Sequence, residues 1–268
     1  MNNGNGNDRA NVKSKEEKLD RQISALSAEG ISTFFYKSID STNTEAKRYA
    51  QVGGKIPALF IADEQTEGRG RMGRSFYSPA DTGIYMSLLL VAPENEENTL
   101  RMTSAAAVAA HDAILAVLGI DTGIKWVNDL YLGGKKISGI LAESFFMDDR
   151  RFVVIGVGIN LSTKDFPEEL REKAGSLSDE QNDDIKMMLT QELAIALLRE
   201  MRSLDSPSLM ARYRKHSLAL GRKVVFTENG VSRSGVAENV DDLGALLVRL
   251  NDGSLYRLGS GEISLKVE

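Results

Sequence analysis

The sequence predicts an α+β fold, with a central mixed or antiparallel β-sheet flanked by helices and a small β-barrel at the C-terminal end. Three observations lead to this prediction. Apolar runs of strand length surround a few helical segments, the Asp148-Asp149 turn joins two long strands, and residues 221–268 contain only short strands. Strands joined by tight turns pair in antiparallel fashion. The central sheet is therefore expected to be antiparallel or mixed.

The composition is that of a globular protein with one large domain or two smaller ones. The chain has 268 residues, of which 42% are hydrophobic and 26% are charged. This mix excludes a disordered protein, a collagen and a coiled-coil rod. The net charge of −5 argues against nucleic-acid binding over the whole surface, although a local basic patch is compatible with it.

Cysteine is absent, and only two histidines occur, His111 and His216. Disulfides, thiolate nucleophiles, iron–sulfur clusters and Cys-bound zinc are thereby excluded, and so is a histidine-rich metal site. No metal ligand is predicted. His111 lies in an alanine-rich helical segment, where a structural role is expected, and His216 follows basic residues that indicate a solvated surface. Neither histidine lies near a nucleophile elbow, which argues against a serine hydrolase.

Residues 1–30 are predicted to be a polar tail and one short helix. The first 15 residues are rich in Asn and Gly, and Leu19, Ile23 and Leu26 then recur at helical spacing. The segment lacks the apolar core of a secretory signal, and no run of 18 apolar residues is found. These features predict a cytoplasmic protein without a membrane span. A DNA-reading winged helix would need a longer segment, so none is expected here.

Residues 31–220 are predicted to form the larger domain, and its first helix begins near Thr42. Thr42 and Glu45 have the spacing of a capping box, and Gly53-Gly54 end the helix after Gln51. The next elements are strands over 58–63, 84–92, 123–127, 129–132, 136–146 and 151–160 and a helix over 99–118.

The second part of this domain is predicted to be helical. The acidic stretch 164–183 is expected to be a loop with a short helix. An amphipathic helix follows over 184–203, and another begins at Pro207 and reaches about residue 218. The residues expected to face inward from the longer helix are Met188, Leu189, Leu193, Leu197 and Leu198.

Residues 221–268 are predicted to be an SH3-like barrel. Glu228-Asn229-Gly230 and Asn251-Asp252-Gly253 have the composition of tight turns between short apolar segments. Five short strands in so few residues are typical of a small barrel. The domain boundary is therefore placed near residue 220. The strands are predicted over 222–227, 231–240, 244–250, 254–258 and 262–267.

The most informative motif is the loop Gly68-Arg69-Gly70-Arg71-Met72-Gly73-Arg74. It contains the pattern GxGxxG, but a strand rather than a helix follows it, so a dinucleotide-binding fold is not supported. Glycines let the backbone approach a ligand closely, and guanidinium groups bind phosphate or carboxylate oxygens. The loop is predicted to fold over a polyanion such as ATP. A solvated basic turn or a contact with a nucleic-acid backbone would have the same composition.

Two further segments place polar or glycine residues at strand ends and within strands. Lys136 enters an apolar strand, and an unpaired buried ammonium is costly. It is therefore expected at the mouth of the strand or beside an anion, whereas Lys125 and Lys135 are compatible with ordinary surface charge. Gly156 and Gly158 interrupt a strand, which indicates close approach of a ligand or tight packing. Tight packing is the favoured interpretation.

Taken in order, these motifs resemble those of the biotin–protein ligases, also called biotin–[acetyl-CoA-carboxylase] ligases. The resemblance covers residues 38–268. The order of GRGRxGR, KWxND and GxGIN in the chain is a specific signature. The matching segments are Ser41-Thr42-Asn43, Gln65 with the loop 68–74, Lys125-Trp126-Val127-Asn128-Asp129-Leu130-Tyr131, Lys136-Ile137-Ser138-Gly139-Ile140-Leu141, Gly156-Val157-Gly158-Ile159-Asn160 and Gly261-Glu262-Ile263-Ser264-Leu265.

The resemblance implies a catalytic domain of the class II synthetase type over 31–220 that binds biotin and ATP. Biotin and ATP would form biotinyl-5′-adenylate and pyrophosphate, with Mg²⁺ near the phosphates. A lysine of a biotin carboxyl carrier protein would then displace AMP. The expected chain is a monofunctional ligase that does not bind DNA, and a homodimer is compatible with the family.

The resemblance also implies roles for individual residues. Catalytic roles fall on Lys136, Asp129 and Arg69. The positions that match biotin-binding residues are Ser41, Thr42, Asn43, Gln65, Arg69, Gly70, Arg71, Lys136 and Gly139. The positions that match ATP- or adenylate-binding residues are Arg69, Arg71, Arg74, Phe76, Lys125, Asn128, Asp129, Lys136 and Asn160.

Two departures and two alternatives accompany this interpretation. Val127 stands where the family often has proline, and Phe76 stands where it often has tryptophan; both replacements are expected to be tolerated. One alternative is a lipoate– or octanoate–protein ligase of the same superfamily, whose arginine and histidine pattern is missing. The other is a non-catalytic module that binds biotin adenylate or RNA. Lys136, Asp129 and the net charge argue against it.

Overall fold

The computed structural model describes residues 30–93, 98–228 and 230–265, and every structural statement below refers to these ranges. The predicted short helix near Leu19, Ile23 and Leu26 lies outside them, as does Asn229 of a predicted turn. The helices are α1 (Thr42–Gln51), α2 (Asn98–Leu118), α3 (Asp183–Arg202) and α4 (Pro207–Lys215), and single 3₁₀ turns span Arg71–Gly73 and Glu168–Leu170.

A seven-stranded mixed sheet is the main layer of the fold. Its strands are β1 (Ser32–Tyr36), β2 (Ala58–Ala62), β3 (Gly83–Val91), β4 (Gly123–Lys125), β5 (Asp129–Leu132), β6 (Lys135–Met147) and β7 (Arg150–Asn160). The spatial order is β1-β2-β3-β7-β6-β5-β4. β1 and β2 are parallel and are connected through α1, and all other neighbours are antiparallel. The predicted α+β fold with a mixed sheet is confirmed.

Strand β1 was not expected from the sequence. Its sequence, Ser-Thr-Phe-Phe-Tyr, does not alternate between polar and apolar residues, and all five residues are half-buried. Its place at the sheet edge is decided by pairing with β2, from Ser32 opposite Ala58 to Tyr36 opposite Ala62. The long hairpin was predicted correctly, since β6 ends at Met147, β7 begins at Arg150, and Asp148 and Asp149 have φ of 47° and 60°.

The helices cover the two faces of this sheet separately. Side chains alternate between the faces along each strand, and in β7 Val154 packs with α1 whereas Val153 and Ile155 pack with the larger core. Helix α2 runs through that larger core, where Ala105, Ala106 and Ala107 are fully buried. Among the described residues, the helical segment Thr99–Leu118 is long and apolar enough to cross a membrane, but 67% of its most apolar 18-residue stretch is buried inside the fold.

The capping box predicted at Thr42 and Glu45 is wrong. Ser41 is the N-cap of α1 and makes no side-chain capping bond. The Thr42 N–H and hydroxyl both donate to Gln65 Oε1, at 2.9 and 3.1 Å. Glu45 instead accepts a bond from Tyr36 Oη at 3.2 Å. A distant glutamine has therefore replaced the local cap, which sequence spacing alone could not reveal.

Two details of the helical region also differ from expectation. Met188 is 57% exposed, because the inward face of α3 is formed by its leucines. Helix α4 ends at Lys215, because the chain then pairs with the edge strand β4. The Ile124 N–H donates to the His216 carbonyl at 2.7 Å, and the Leu218 N–H donates to the Ile124 carbonyl at 2.8 Å.

The C-terminal region forms a second, antiparallel sheet of five strands. They are β8 (Lys223–Glu228), β9 (Val231–Val240), β10 (Leu246–Leu250), β11 (Leu255–Leu258) and β12 (Ile263–Leu265), and the order is β11-β10-β9-β8-β12. No ladder joins β11 to β12 within the described chain, so closure into an SH3-like barrel stays a prediction. Both sheets contribute to one hydrophobic core, and Trp126 Nε1 donates to the Gly244 carbonyl at 2.9 Å.

Candidate active site

A cavity of about 570 Å³ lies where the N-terminal end of α1, the glycine loop (residues 68–74), strands β6 and β7 and strand β12 meet. Nearly all residues selected from the sequence line it. Asn160 is the exception. The sequence-selected lining residues are Ser41, Thr42, Asn43, Gln65, Arg69, Gly70, Arg71, Arg74, Phe76, Lys125, Asn128, Asp129, Lys136 and Gly139.

One end of the cavity carries hydroxyl and amide groups from the start of α1. Ser41, Thr42 and Asn43 are each less than 5% exposed to solvent. Ser87 Oγ on β3 lies 2.6 Å from Asn43 Oδ1 and 2.7 Å from Thr42 Oγ1. Gln65 Nε2 donates to Ser78 Oγ at 3.0 Å. This network holds the polar groups in fixed orientations beside the cavity, where they can bond a neutral polar ring.

The floor of the cavity depends on glycines in β7. A Cβ atom on Gly156 would lie 2.2 Å from Asn43 Oδ1, and one on Gly158 would lie 2.4 Å from the Phe76 ring. These glycines admit two cavity-lining side chains onto the sheet surface. The favoured expectation of tight packing is thus correct in part, because the close neighbours are side chains of the site rather than another strand.

The glycine loop folds back on itself as a tight turn over the cavity. The Gly70 N–H donates to the Arg74 carbonyl at 2.7 Å, and the Phe76 N–H donates to the Gly68 carbonyl at 2.8 Å. A Cβ on Gly68 would lie 2.3 Å from the Phe76 carbonyl oxygen, so this close approach requires glycine.

Each loop arginine bonds to a different group around the cavity. Arg69 pairs with Glu143 on β6 at 3.1 Å. Arg71 donates to Asn128 Oδ1 at 2.9 Å and to the Gly261 carbonyl at 3.0 Å. Arg74 pairs with Glu262 at 3.0 Å. The loop is therefore attached to the first sheet and to the C-terminal sheet at once.

Lys136 and Asp129 form an ion pair on neighbouring strands. Lys136 Nζ lies 2.7 Å from Asp129 Oδ1, and the two side chains are 33% and 14% exposed. The expectation that Lys136 lies beside an anion is thus met within the protein itself. Asn128, directly before Asp129, is held by its Nδ2, which donates to the Ile140 carbonyl at 2.9 Å.

The cavity wall is strongly cationic although the chain is acidic. Six cations and two carboxylates line it, whereas the net charge of the whole chain is −5. Burial lowers the pKa of Arg71, against the raising influence of Asp129 and Glu262. Burial, followed by the charge of Asp129, raises the pKa of Tyr131 to about 12, so its hydroxyl stays neutral beside Lys125 Nζ at 3.5 Å. Such a wall favours a ligand that carries several negative charges.

Asn160 is not part of the cavity wall. It is 4% exposed, and its Nδ2 donates to the Gly175 carbonyl at 3.0 Å. The backbone carbonyl of Asn160 accepts a hydrogen bond from the Leu177 N–H at 3.1 Å. Asn160 therefore braces the segment after β7, and the structure does not bring it to the other predicted nucleotide-side residues.

Sequence reasoning missed several residues of this site. Glu143 accepts bonds from Asn43 Nδ2 at 2.9 Å and Lys47 Nζ at 2.8 Å in addition to Arg69. Burial alone would raise the pKa of Glu143, but the hydrogen bonds from Asn43 and Lys47 and the charges of Lys47 and Arg69 outweigh it, and the pKa is lowered. Lys173, Glu262 and Ser264 also line the cavity from the loop after β7 and from β12. Of these residues, only Glu262 and Ser264 lie within a matching motif and carried a signal.

Comparison with known proteins assigns the chain to a family. Residues 35–160 match the Biotin/lipoate A/B protein ligase family, and residues 219–266 match the Biotin protein ligase C terminal domain. The chain belongs to the biotin/lipoate A/B protein ligase family.

Two curated relatives and one solved structure illustrate the similarity. The bifunctional ligase/repressor BirA of Bacillus spizizenii is 35% identical over 235 residues, which are 85% of this chain and 72% of the relative. The biotin–[acetyl-CoA-carboxylase] ligase of Mycobacterium tuberculosis is 34% identical over 83% of this chain and 85% of its own length. The biotin protein ligase of Aquifex aeolicus in complex with biotin and ATP has a TM-score of 0.73 at 26% identity, over 88% of this chain and 99% of that chain.

Proposed function

We propose that this chain is a biotin–protein ligase, which activates biotin with ATP and transfers it to a lysine of a biotin carboxyl carrier protein. The observation that carries the proposal is the cavity itself. It joins the hydrogen-bonding end of α1 to a wall with six cations. A ligand with a neutral polar ring and a second ligand with a polyphosphate can therefore be bound side by side. The family and its biotin-ligase relatives support this assignment.

The first step joins the two anionic substrates. A carboxylate oxygen of biotin attacks the α-phosphorus of ATP, the bond from that phosphorus to the β-phosphate oxygen breaks, and pyrophosphate leaves. Lys136 is proposed to contact the carboxylate and the α-phosphate, where its charge offsets the negative charge that builds up in the transition state. Arg69 and Arg71 reduce the repulsion between substrates, and fixed positions supply much of the remaining acceleration.

The second step transfers the biotinyl group. The neutral ε-amine of the acceptor lysine attacks the acyl carbon of the adenylate, AMP leaves, and the nitrogen loses a proton to give an amide. Before transfer, the glycine loop covers the mixed anhydride through the bonds of Arg71 to Asn128 and to the Gly261 carbonyl. Exclusion of water by this cover would slow hydrolysis of the intermediate.

Mg²⁺ is proposed to accompany ATP. In nucleotide sites it binds through one or two carboxylates together with phosphate oxygens and water. Each of the two cavity-lining carboxylates is paired with a cation, and Asp129 fits this role because its partner Lys136 is proposed to contact the α-phosphate. When bound, the ion would neutralise phosphate charge.

The site residues are proposed from geometry and motif together. Ser41, Thr42, Asn43 and Gln65 would bind the biotin ring, and Gly139 and Gly156 leave room for the side chains of Lys136 and Asn43 beside it. Phe76 and the arginines would border the nucleotide. Asn160 would act through the segment it braces rather than by contact. A homodimer, the cytoplasmic location, the absence of DNA binding and the domain limits 31–220 and 221–268 stay predictions.

The first experiment is biotin-dependent exchange of labelled pyrophosphate into ATP, with lipoate and octanoate in parallel. The purified protein should be folded and supplied with Mg²⁺. Exchange with biotin alone is the expected result. Exchange with lipoate or octanoate would favour the sister activity of the family, although the match to the Biotin protein ligase C terminal domain argues for biotin. If no acid supports exchange, the proposed catalysis is contradicted, and the protein would instead be a module that binds the adenylate without forming it.

A further inference from the structure

The only two histidines of the chain contact each other although they are far apart in sequence. The rings of His111, on α2, and His216, directly after α4, have centroids 3.8 Å apart. Asp121, in the turn between α2 and β4, joins them, with its Oδ1 at 3.3 Å from His216 Nδ1 and 3.9 Å from His111 Nε2. His216 is thus 15% exposed rather than on a solvated surface.

One nitrogen in this cluster is buried without a partner. His111 is 1% exposed, and its Nε2 has no hydrogen-bond partner among the described residues. Its Nδ1 lies 3.0 Å from the Thr122 carbonyl oxygen. The Thr122 hydroxyl lies at the same distance from Nδ1, and in the tautomer that donates Nδ1–H to the carbonyl, the lone pair of the neutral imidazole is on Nε2. That lone pair faces the carboxylate of Asp121, an arrangement that a cation between them would stabilise.

The neutral form of His111 is favoured by its surroundings. Burial, and next the neighbouring His216, lower the pKa of His111, against Asp112, Asp121 and the bond to Thr122. Asp112 is itself paired with Arg212 at 2.7 Å, which offsets its charge. A histidine that donates Nδ1–H to a backbone carbonyl while Nε2 is free has the orientation seen in metal-binding histidines.

We propose that His111 Nε2, Asp121 Oδ1 and His216 Nδ1 bind one Zn²⁺ ion. Among the described residues, this group has three ligand atoms within 4.8 Å of one another. Two imidazoles and one carboxylate are a donor set that zinc accepts, with bonds of about 2.0–2.2 Å and ligand atoms therefore roughly 3.3 Å apart in a tetrahedron. Asp121 is 73% exposed, so its carboxylate can close the longer separation. The two imidazole rings, which are 3.8 Å apart and tilted by 35°, would have to move apart so that their in-plane lone pairs meet at the ion, and water can take the fourth position.

The proposed ion would connect three elements behind the active site. His216 and Leu218 bond to Ile124 on β4, and Lys125, the next residue, lines the cavity. Zinc would thus bind α2, the turn before β4 and the end of α4 together. This role is structural and is separate from Mg²⁺ at the nucleotide phosphates.

The test is a Zn²⁺ titration of chelator-treated protein in competition with a chromophoric chelator. Wild-type protein should bind one ion per chain, and its melting temperature should rise with Zn²⁺ but not with Mg²⁺. Asp121→Asn and His216→Ala should each weaken binding at least about tenfold. Asp205→Asn, an exposed aspartate in the turn before α4, is the matched control and should bind as wild type does.

Two outcomes would overturn the proposal. Wild-type protein that binds no stoichiometric Zn²⁺ has no such site. Asp121→Asn protein that binds Zn²⁺ as tightly as wild type holds the ion elsewhere, for example in the active-site cavity. Asp121 is exposed, so this variant is expected to fold, and circular dichroism verifies it.

Discussion

Lys136 is the side chain whose charge the proposed chemistry needs most directly. Its ammonium is 2.7 Å from Asp129 Oδ1, so the position of the charge is fixed before substrates bind. A preorganised charge stabilises a transition state without having to reorient during the reaction. The carboxylate therefore has two roles, as a partner of the lysine and as the proposed Mg²⁺ ligand.

Lys136→Ala is predicted to lower biotin-dependent pyrophosphate exchange by about 10²–10³-fold, the cost of removing one preorganised charge from a transition state. The fold should be retained, because the lysine side chain is partly exposed. The matched control is Lys135→Ala, an exposed neighbour that donates to the Arg171 carbonyl outside the cavity, and it should stay active. Near-normal exchange in folded Lys136→Ala protein would remove Lys136 from the mechanism.

Glu143→Gln is predicted to destabilise the protein by about 1–3 kcal/mol at pH 7, because Lys47 and Arg69 lose a partly buried counter-charge. The pKa of Glu143 is lowered on folding. Its stabilising charge is therefore complete above the unfolded pKa of about 4.3 and is lost as the pH falls through the lower folded value. Urea unfolding of both proteins should differ by a constant amount from pH 7 to 5, and the difference should vanish only once the pH has fallen below the lowered pKa of folded Glu143.

The control for this prediction is Glu238→Gln. Glu238 pairs with Arg249 at 2.9 Å, but both side chains are more than 40% exposed. Surface pairs of this kind contribute little, so unfolding should barely change. A Glu143→Gln protein that unfolds like wild type at pH 7 would show that the network around the glycine loop is not a stabilising one.

At the scale of elements, β7 shows how glycines create the site. Every second residue of β7 lies on the face of the sheet that α1 and the cavity share. Along this face, Val154 is followed by Gly156 and Gly158. Larger residues at these positions would fill the space that Asn43 and Phe76 now occupy. The strand is weakened locally, but pairing with β3 and β6 on both sides retains it.

Gly156→Ala is predicted to raise the dissociation constant for biotin at least about tenfold, because misplacement of a positioning group by an ångström is costly. The new Cβ would lie 2.2 Å from Asn43 Oδ1, so Asn43 would have to leave Ser87 and Glu143. Calorimetric titration with biotin measures the effect. Gly259→Ala is the control, since its Cβ would meet no atom closer than 4.0 Å. Unchanged affinity in Gly156→Ala would contradict the placement of biotin beside Asn43.

At the scale of the whole molecule, the active site depends on contact between the two sheets. Arg71 and Arg74 reach the turn before β12, and Trp126 reaches Gly244 in the loop before β10. Side chains from both sheets belong to one hydrophobic core. Because of this shared core, we expect the two predicted domains to unfold together.

Trp126→Phe is predicted to destabilise the protein by about 2–4 kcal/mol, through lost volume and a Gly244 carbonyl left without its donor. Trp126 is 2% exposed. Urea unfolding followed by circular dichroism should show a single transition at lower urea concentration than wild type. Phe146→Leu is the control, since Phe146 is 69% exposed. Two separate transitions in wild-type protein would show that the sheets unfold independently.

The sequence by itself determined the types of most elements and the glycine loop, since periodicity and motifs are local properties of the chain. The resemblance of its motifs to those of a known family selected fourteen residues that line the cavity. Tertiary structure alone decided what these groups contact. It placed β1 at the sheet edge, paired Thr42 with Gln65, bonded Asn160 to Gly175, brought Glu143 to Arg69 and placed His111 against His216. The physical reason is that each of these contacts joins segments distant in sequence, so it follows from packing and strand pairing, which no local pattern records.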